Sequence, residues 1–177
     1  MSNFENKEVR NKIITVDHGK ENMKRVIFKP KPGQIDYTNT RWAPVINCVV
    51  KHKNKLLVVK RSKELNFYPG YWNGISGFLD DQRNLAEKVS DELKKELGML
   101  KTEIKRIRLG EIFDREEAKY KKTWIVHPVL VEVKTDKIKL DWEARNYQWL
   151  TLQEIKKLKL LPGFSEVLKK LLPWTGK

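Results

Sequence analysis

The chain has 177 residues, enough to bury one substantial core with a modest extension left over. Its 37 Lys and Arg against 23 Asp and Glu give a net charge of +14, which either favours polyanions such as nucleotides or RNA or, spread along the chain as the lysines are, serves solubility. No apolar run approaches the roughly 18 residues that cross a membrane, the polar start MSNFENKEVR has no signal-peptide core, and the single cysteine, Cys48, excludes an intrachain disulfide, so a cytoplasmic protein is expected.

In chain order, residues 1–43 read as an N-terminal extension ahead of a domain over 44–177. Within the extension, Arg10 to Val16 and Arg25 to Lys29 have strand character around the turn Asp17 to Lys20, which predicts a hairpin; Lys29 to Gly33 reads as an extended linker. Val45 to Ser62 predicts two β-branched strands around the polar turn Lys53, Asn54 and Lys55, with Cys48 as a small core residue. Turn-rich Tyr68 to Gly77 leads into a helix over Leu85 to Leu97, where Asn84 caps, Glu87 closes a capping box and Gly98 ends the helix. Ile107 to Phe113 and Trp124 to Val133 predict two further strands, separated by a charged loop containing Asp114 to Glu117. Asp141 to Leu150 places an acidic start before an aromatic strand. Thr151 and Glu154 then form a capping box for a helix of about eight residues. Phe164 to Leu172 predicts another helix. Lysines decorate these last two helices, whose apolar residues are expected to cover the sheet, and Pro162 and Gly163 break the segment, which argues against one long amphipathic anchor.

The helix over 85–97 carries the chemistry. At roughly 100° per residue, Leu85, Ala86, Val89, Leu93 and Leu97 share one face. Glu96 projects between Leu85 and Val89, with Glu92 just outside. Carboxylates beside a core-facing seam are costly unless paired. Lys88 and Lys95 stand at helical spacing to pair them; a divalent cation is the other partner of the right charge.

The loop and helix together resemble the Nudix hydrolase superfamily. Its signature sets a glycine, then Glu, then Arg-Glu, an aliphatic residue, Glu-Glu, a glycine and a second aliphatic residue at fixed spacing. Here Gly77 and Gly98 match the glycines, Leu93 and Met99 the aliphatic positions, and Glu92 and Glu96 two of the acidic ones. Arg83 stands where Glu is expected, Asp91 where Arg is expected, and Lys95 where the first residue of the Glu-Glu pair is expected. Arg83 and Asp91 read as the family's loop-to-helix ion pair with its polarity reversed. Lys95 removes a carboxylate from the site; either fewer metals are bound than at a full site, or its ammonium offsets phosphate charge.

The resemblance covers about residues 44 to 172 and implies an α/β fold, an α/β/α sandwich with a mixed β-sheet. It implies Mg²⁺-dependent, or Mn²⁺-dependent, hydrolysis of a nucleoside diphosphate linked to another moiety. Glu92, Glu96 and the Gly77 carbonyl are the expected metal ligands, and Arg61 the expected phosphate contact, with Lys60 on the opposite face of its strand. The family often takes a further carboxylate from a later loop; Glu116 and Glu117 are the candidates, ahead of Glu143, while Asp80 and Asp81 are expected in a turn. The alternative is a Nudix-fold module that has lost chemistry through Lys95 and binds nucleotide or RNA. YPGYWNG also resembles the loop of isopentenyl diphosphate isomerase, a relative that needs cysteine and histidine ligands where Ile75, Ser76 and Gly77 stand here.

Overall fold

The computed structural model describes residues 30–172; the hairpin expected within the first 29 residues lies outside them. Among the described residues eight strands form one sheet: β1 (Trp42–His52), β2 (Lys55–Arg61), β3 (Trp72–Asn73), β4 (Ile75–Phe78), β5 (Ile104–Leu109), β6 (Phe113–Glu117), β7 (Lys122–Val133) and β8 (Ala144–Leu150). The α-helices among the described residues are α1 (Leu85–Leu97), α2 (Leu152–Ile155) and α3 (Phe164–Leu171). The two long strands β1 and β7 run parallel at the centre, and their other pairings are antiparallel, so the sheet is mixed.

Side-chain alternation along the central strands divides the core between two faces. Ile46, Cys48, Val50, Leu57, Val59, Val129 and Val131 pack on one face with Val89, Leu93 and Leu97 of α1. On the other, Val49, Leu56, Val58, Trp124, Val126 and Leu130 pack with Ile155 of α2 and Phe164, Val167, Leu168 and Leu171 of α3. Cys48 is fully buried, as a small core residue should be.

Three expected elements differ in extent. The strand expected over 107–113 is split into β5 and β6, because β7 offers its edge in two pieces: Lys122 to Val126 pairs with β6, and Val129 to Val133 with β5. Between them stands Pro128, which has no N–H for a ladder, while its carbonyl accepts from Gly110 at 2.8 Å. Expected as part of the hairpin turn, Lys55 instead begins β2; Lys53 takes the left-handed turn position at φ 52°. The third is α2, capped by Thr151 and Glu154 as expected but only four residues long. Beyond it the backbone bonds to β3: Trp72 donates to the Lys159 carbonyl at 3.0 Å, and Leu161 donates to the Trp72 carbonyl at 2.8 Å. A continuing helix could not supply those partners.

Gly74, between β3 and β4, is where this packing is tightest. A Cβ there would sit 2.3 Å from the Cys48 carbonyl oxygen and 3.1 Å from Phe164. Gly74→Ala is therefore expected to destabilise the fold by about 2–3 kcal/mol, the cost of overpacking against backbone, read as a lower urea midpoint at unchanged slope.

Candidate functional site

Local sequence fixes α1 tightly. Asn84 accepts from the Glu87 amide at 3.0 Å, Glu87 accepts from the Asn84 amide at 3.1 Å, and Gly98 closes the helix at φ 64°. Arg83 and Asp91 meet in an ion pair, and Arg83 also binds Asp81 through Nε at 3.0 Å, so the reversed pair ties the loop to the helix.

Glu92 and Glu96 are both buried, 8 % and 6 % exposed. Gly77 makes room for the first: a Cβ there would lie 2.7 Å from the Glu92 carboxyl carbon. Lys88 reaches Glu92 Oε1 at 3.4 Å but is held closer by Asp80, at 2.7 Å. Asp80, expected in a turn, is thus a buried partner of α1. Lys95 lies between two carboxylates, 3.8 Å from Glu92 Oε2 and 2.5 Å from Glu143 Oε1.

Glu143 is drawn in by long-range contacts. Lys139 donates to the Leu97 carbonyl at 2.8 Å and Asp141 to the Glu96 carbonyl at 3.1 Å, which docks the segment before β8 on the end of α1. Glu143 then gives its carbonyl to the Ser62 amide at 2.7 Å.

Burial and these neighbours perturb the acids. Desolvation pushes the Glu96 carboxyl well above the ordinary range, with Glu143 and Glu92 adding repulsion. Its Oε1 is buried without a hydrogen-bond partner. Glu92 is raised by burial too, against the pull of Lys95 and Lys88. Burial works to lower the Lys95 ammonium, but Glu143 and Glu92 outweigh it and the group is raised.

Arg61 ends β2, and alternation with Leu57 and Val59, which pack on α1, puts its side chain on the α1 side of the sheet. Its Nε and Nη2 both donate to the Phe67 carbonyl, at 3.1 and 2.9 Å. Burial lowers its pKa, opposed first by Glu96 and then by Glu143. Lys60 extends from the opposite face over the Trp72 ring.

The structure therefore brings Glu92, Glu96, Gly77, Lys95 and Arg61 into one neighbourhood. Glu116 and Glu117 lie elsewhere on β6: Glu116 binds Arg41 at 3.1 Å in solvent, and Glu117 accepts from the Tyr68 hydroxyl at 3.1 Å. Glu143, ranked behind them on sequence, is the later acid that joins Glu96. The signal for it was its place before an aromatic strand, which does not reveal docking on α1.

Buried carboxylate oxygens, one of them orphaned, suit a hard cation that prefers oxygen ligands. Among the described residues no group of three His, Cys, Asp or Glu side chains is already arranged around a cation position. Lys95 stands between two of the acids, and its side chain is 54 % exposed, so its ammonium can swing out to solvent.

A family model described as NUDIX domain matches residues 41–175. Similar solved structures include a MutT protein from Methanosarcina mazei Go1, at 18% identity, TM-score 0.60, covering 74% of this chain and 93% of that one. An Ap4A hydrolase from C. elegans, solved as a binary complex, matches at 18% identity and TM-score 0.58, covering 72% and 93%. The NUDIX domain of Shewanella oneidensis NrtR, solved with ADP ribose, matches at 13% identity and TM-score 0.61, covering 72% and 84%. At such identities these structures show the shared fold alone. No curated protein matches the chain by sequence.

Proposed function

The chain belongs to the Nudix family, and on that premise we propose that it is a Mg²⁺-dependent hydrolase of a nucleoside diphosphate linked to another moiety. The observation that carries this reading is the buried pair Glu92 and Glu96, stacked one turn apart on α1, with an orphaned oxygen on Glu96 and a glycine where any side chain would displace Glu92. Ap4A and ADP ribose, named with two of the similar structures, both carry adenosine on a phosphoanhydride chain, which supports the substrate class.

In this mechanism Glu92 and Glu96 would hold the ion, with the Gly77 carbonyl as a further ligand. Mg²⁺ held there would supply charge to neutralise the diphosphate and a site to orient the attacking water. Arg61 exchanges its bonds to the Phe67 carbonyl for bonds to phosphate, which are stronger because both partners are charged. With a cation held there, the half-exposed Lys95 ammonium would be free of Glu92 and Glu143 and would offset substrate phosphate charge. Glu143 takes the place of Glu116 and Glu117 as the added carboxylate, since Glu143 alone of the three adjoins Glu96. A cytoplasmic setting belongs to the same reading; among the described residues no helix is long and apolar enough to cross a membrane.

Purified protein with Mg²⁺ is expected to release phosphorylated products from at least one of a panel of nucleotide sugars, dinucleoside polyphosphates, NADH and capped or triphosphorylated RNA. A panel silent with Mg²⁺ and Mn²⁺ alike would sink the hydrolase.

One observation favours a second reading. The Lys95 ammonium, bonded to Glu143 and near Glu92, partly satisfies the acids without any metal. A Nudix-fold module that binds nucleotide or RNA through its net charge of +14, without turnover, is the form that reading takes.

A further inference from the structure

The far end of the loop between β2 and β3 bonds back to Arg61, where the loop begins. Arg61 donates its amide to the Tyr71 carbonyl at 2.9 Å, and its carbonyl accepts from Gly70 at 3.1 Å. From this loop the Phe67 ring inserts edge-on between two others, 5.0 Å from Tyr120 at 83° and 5.2 Å from Trp124 at 86°. The slot is thus an aromatic one, next to the guanidinium proposed to take phosphate, and a residue of the chain fills it.

The peptide that joins Phe67 to Tyr68 is held from both sides. Its carbonyl accepts the two bonds from Arg61, and its N–H donates to the Tyr120 hydroxyl at 3.0 Å. Held so, Tyr68 lies at φ 50°, a left-handed conformation that costs a bulky non-glycine residue energy. A half-turn of this peptide carries Tyr68 to an ordinary negative φ, and the bonds to Arg61 and Tyr120 oppose that turn. The Tyr68 side chain is anchored separately: its hydroxyl donates to Glu117 at 3.1 Å and accepts from the Trp124 indole at 3.3 Å. Tyr68 can therefore act as the pivot while Phe67 moves.

Resting on the nucleotide reading of this site, we propose that the Phe67–Tyr68 peptide is a phosphate-released latch: an anion that takes Arg61 from the Phe67 carbonyl frees the loop to withdraw Phe67, and a nucleobase takes its edge-on place against Tyr120 and Trp124. Phosphate prevails over the carbonyl because a charge-assisted bond is stronger than one to a neutral acceptor. Arrival of the diphosphate at Arg61 would then open the base site, so the loop selects for ligands carrying both parts. Phe67, Tyr120 and Trp124 are specificity-determining residues on this account, and Phe67 opposes binding until the latch is released.

The test uses the full chain in EDTA, with inorganic pyrophosphate and ADP as probes, so that its outcome does not depend on metal or turnover. Saturating pyrophosphate is expected to speed hydrogen exchange at the amides of residues 65–71 by about tenfold, where an ordinary ligand would slow it. Phe67→Ala is expected to tighten ADP about tenfold by calorimetry while pyrophosphate stays within about twofold, because only ADP has a ring for the slot. Phe67→Leu, which keeps apolar volume without a ring, carries the same ADP-specific gain at smaller size if the alanine variant melts too low to assay. Failure of pyrophosphate to bind, exchange that is unchanged or slower, or an equal change for the two ligands overturns the latch. Absence of hydrolysis alongside the ADP-specific gain would remove the catalytic reading and leave the latch standing.

Discussion

Glu96→Gln is expected to lower Mg²⁺-dependent kcat/KM by at least about a hundredfold, some 2.7 kcal/mol of transition-state stabilisation, while making the metal-free protein more stable. The two effects share one cause. Glu96 is almost fully buried with one carboxylate oxygen unpartnered, so its charge is costly until a cation arrives. Glutamine keeps the shape and loses the charge. Burial raises the folded-state pKa of this carboxyl above its unfolded value, so the group's contribution to stability is fully present below the unfolded value, about 4.3, and is lost as pH rises through the folded value. Glutamine has no such loss. The variant should therefore match the wild type in urea titrations near pH 4 and exceed it by about 1 kcal/mol at neutral pH, with the gap widening between. Added Mg²⁺ should raise the melting temperature of the wild type and leave the variant's unchanged. Unchanged turnover in the variant would remove Glu96 from the mechanism; equal stability at every pH would remove the buried charge.

Local chemistry made α1 legible in the sequence down to its ends, because Asn84, Glu87 and Gly98 act within a turn of the helix they bound. The Arg83–Asp91 pair was legible for a similar reason: loop and helix are adjacent in chain, so reversed charges at matched spacing still meet. What sequence spacing could not supply was distance across the fold. Glu143 reaches Lys95 only because residues 139–141 bond to the last turn of α1, and nothing local to Glu143 encodes that. Glu116 and Glu117 were attractive as a pair of acids in a charged segment, yet that segment is a strand, β6, whose alternation sends Glu116 to solvent and Glu117 toward Tyr68. The early end of α2 has a tertiary cause as well, since the backbone from Lys159 to Leu161 is claimed by Trp72, far away in sequence. Arg61 was placed on the correct face, but its bond to the Phe67 carbonyl depends on a loop conformation that composition does not fix.

Lys95→Glu is expected to have the opposite effect from Glu96→Gln, and the pair of variants separates the two readings of the site. In the wild type the Lys95 ammonium holds Glu143 at 2.5 Å and approaches Glu92 to 3.8 Å, so a divalent cation must displace one positive charge before it gains two carboxylates. Replacing that ammonium by a carboxylate changes the local charge by two units and adds an oxygen donor on the same helical face. Mg²⁺ should then bind about tenfold more tightly or better, with hydrolysis rising in proportion at subsaturating metal. Without metal the variant crowds its new carboxylate among Glu92, Glu96, Asp141 and Glu143 with one fewer cation, so it should be less stable by about 1–2 kcal/mol at neutral pH and recover on adding Mg²⁺. Lys95→Ala, which removes the charge without adding a donor, should fall between the two. Turnover already present in the wild type and raised in Lys95→Glu identifies a hydrolase that Lys95 restrains. Turnover that appears only in the variant identifies the binding module, with Lys95 as the residue that silenced it. A wild type that turns over while Lys95→Glu binds metal more tightly but raises KM would show the ammonium acting on the substrate instead, neutralising phosphate once the cation has taken its place between the acids.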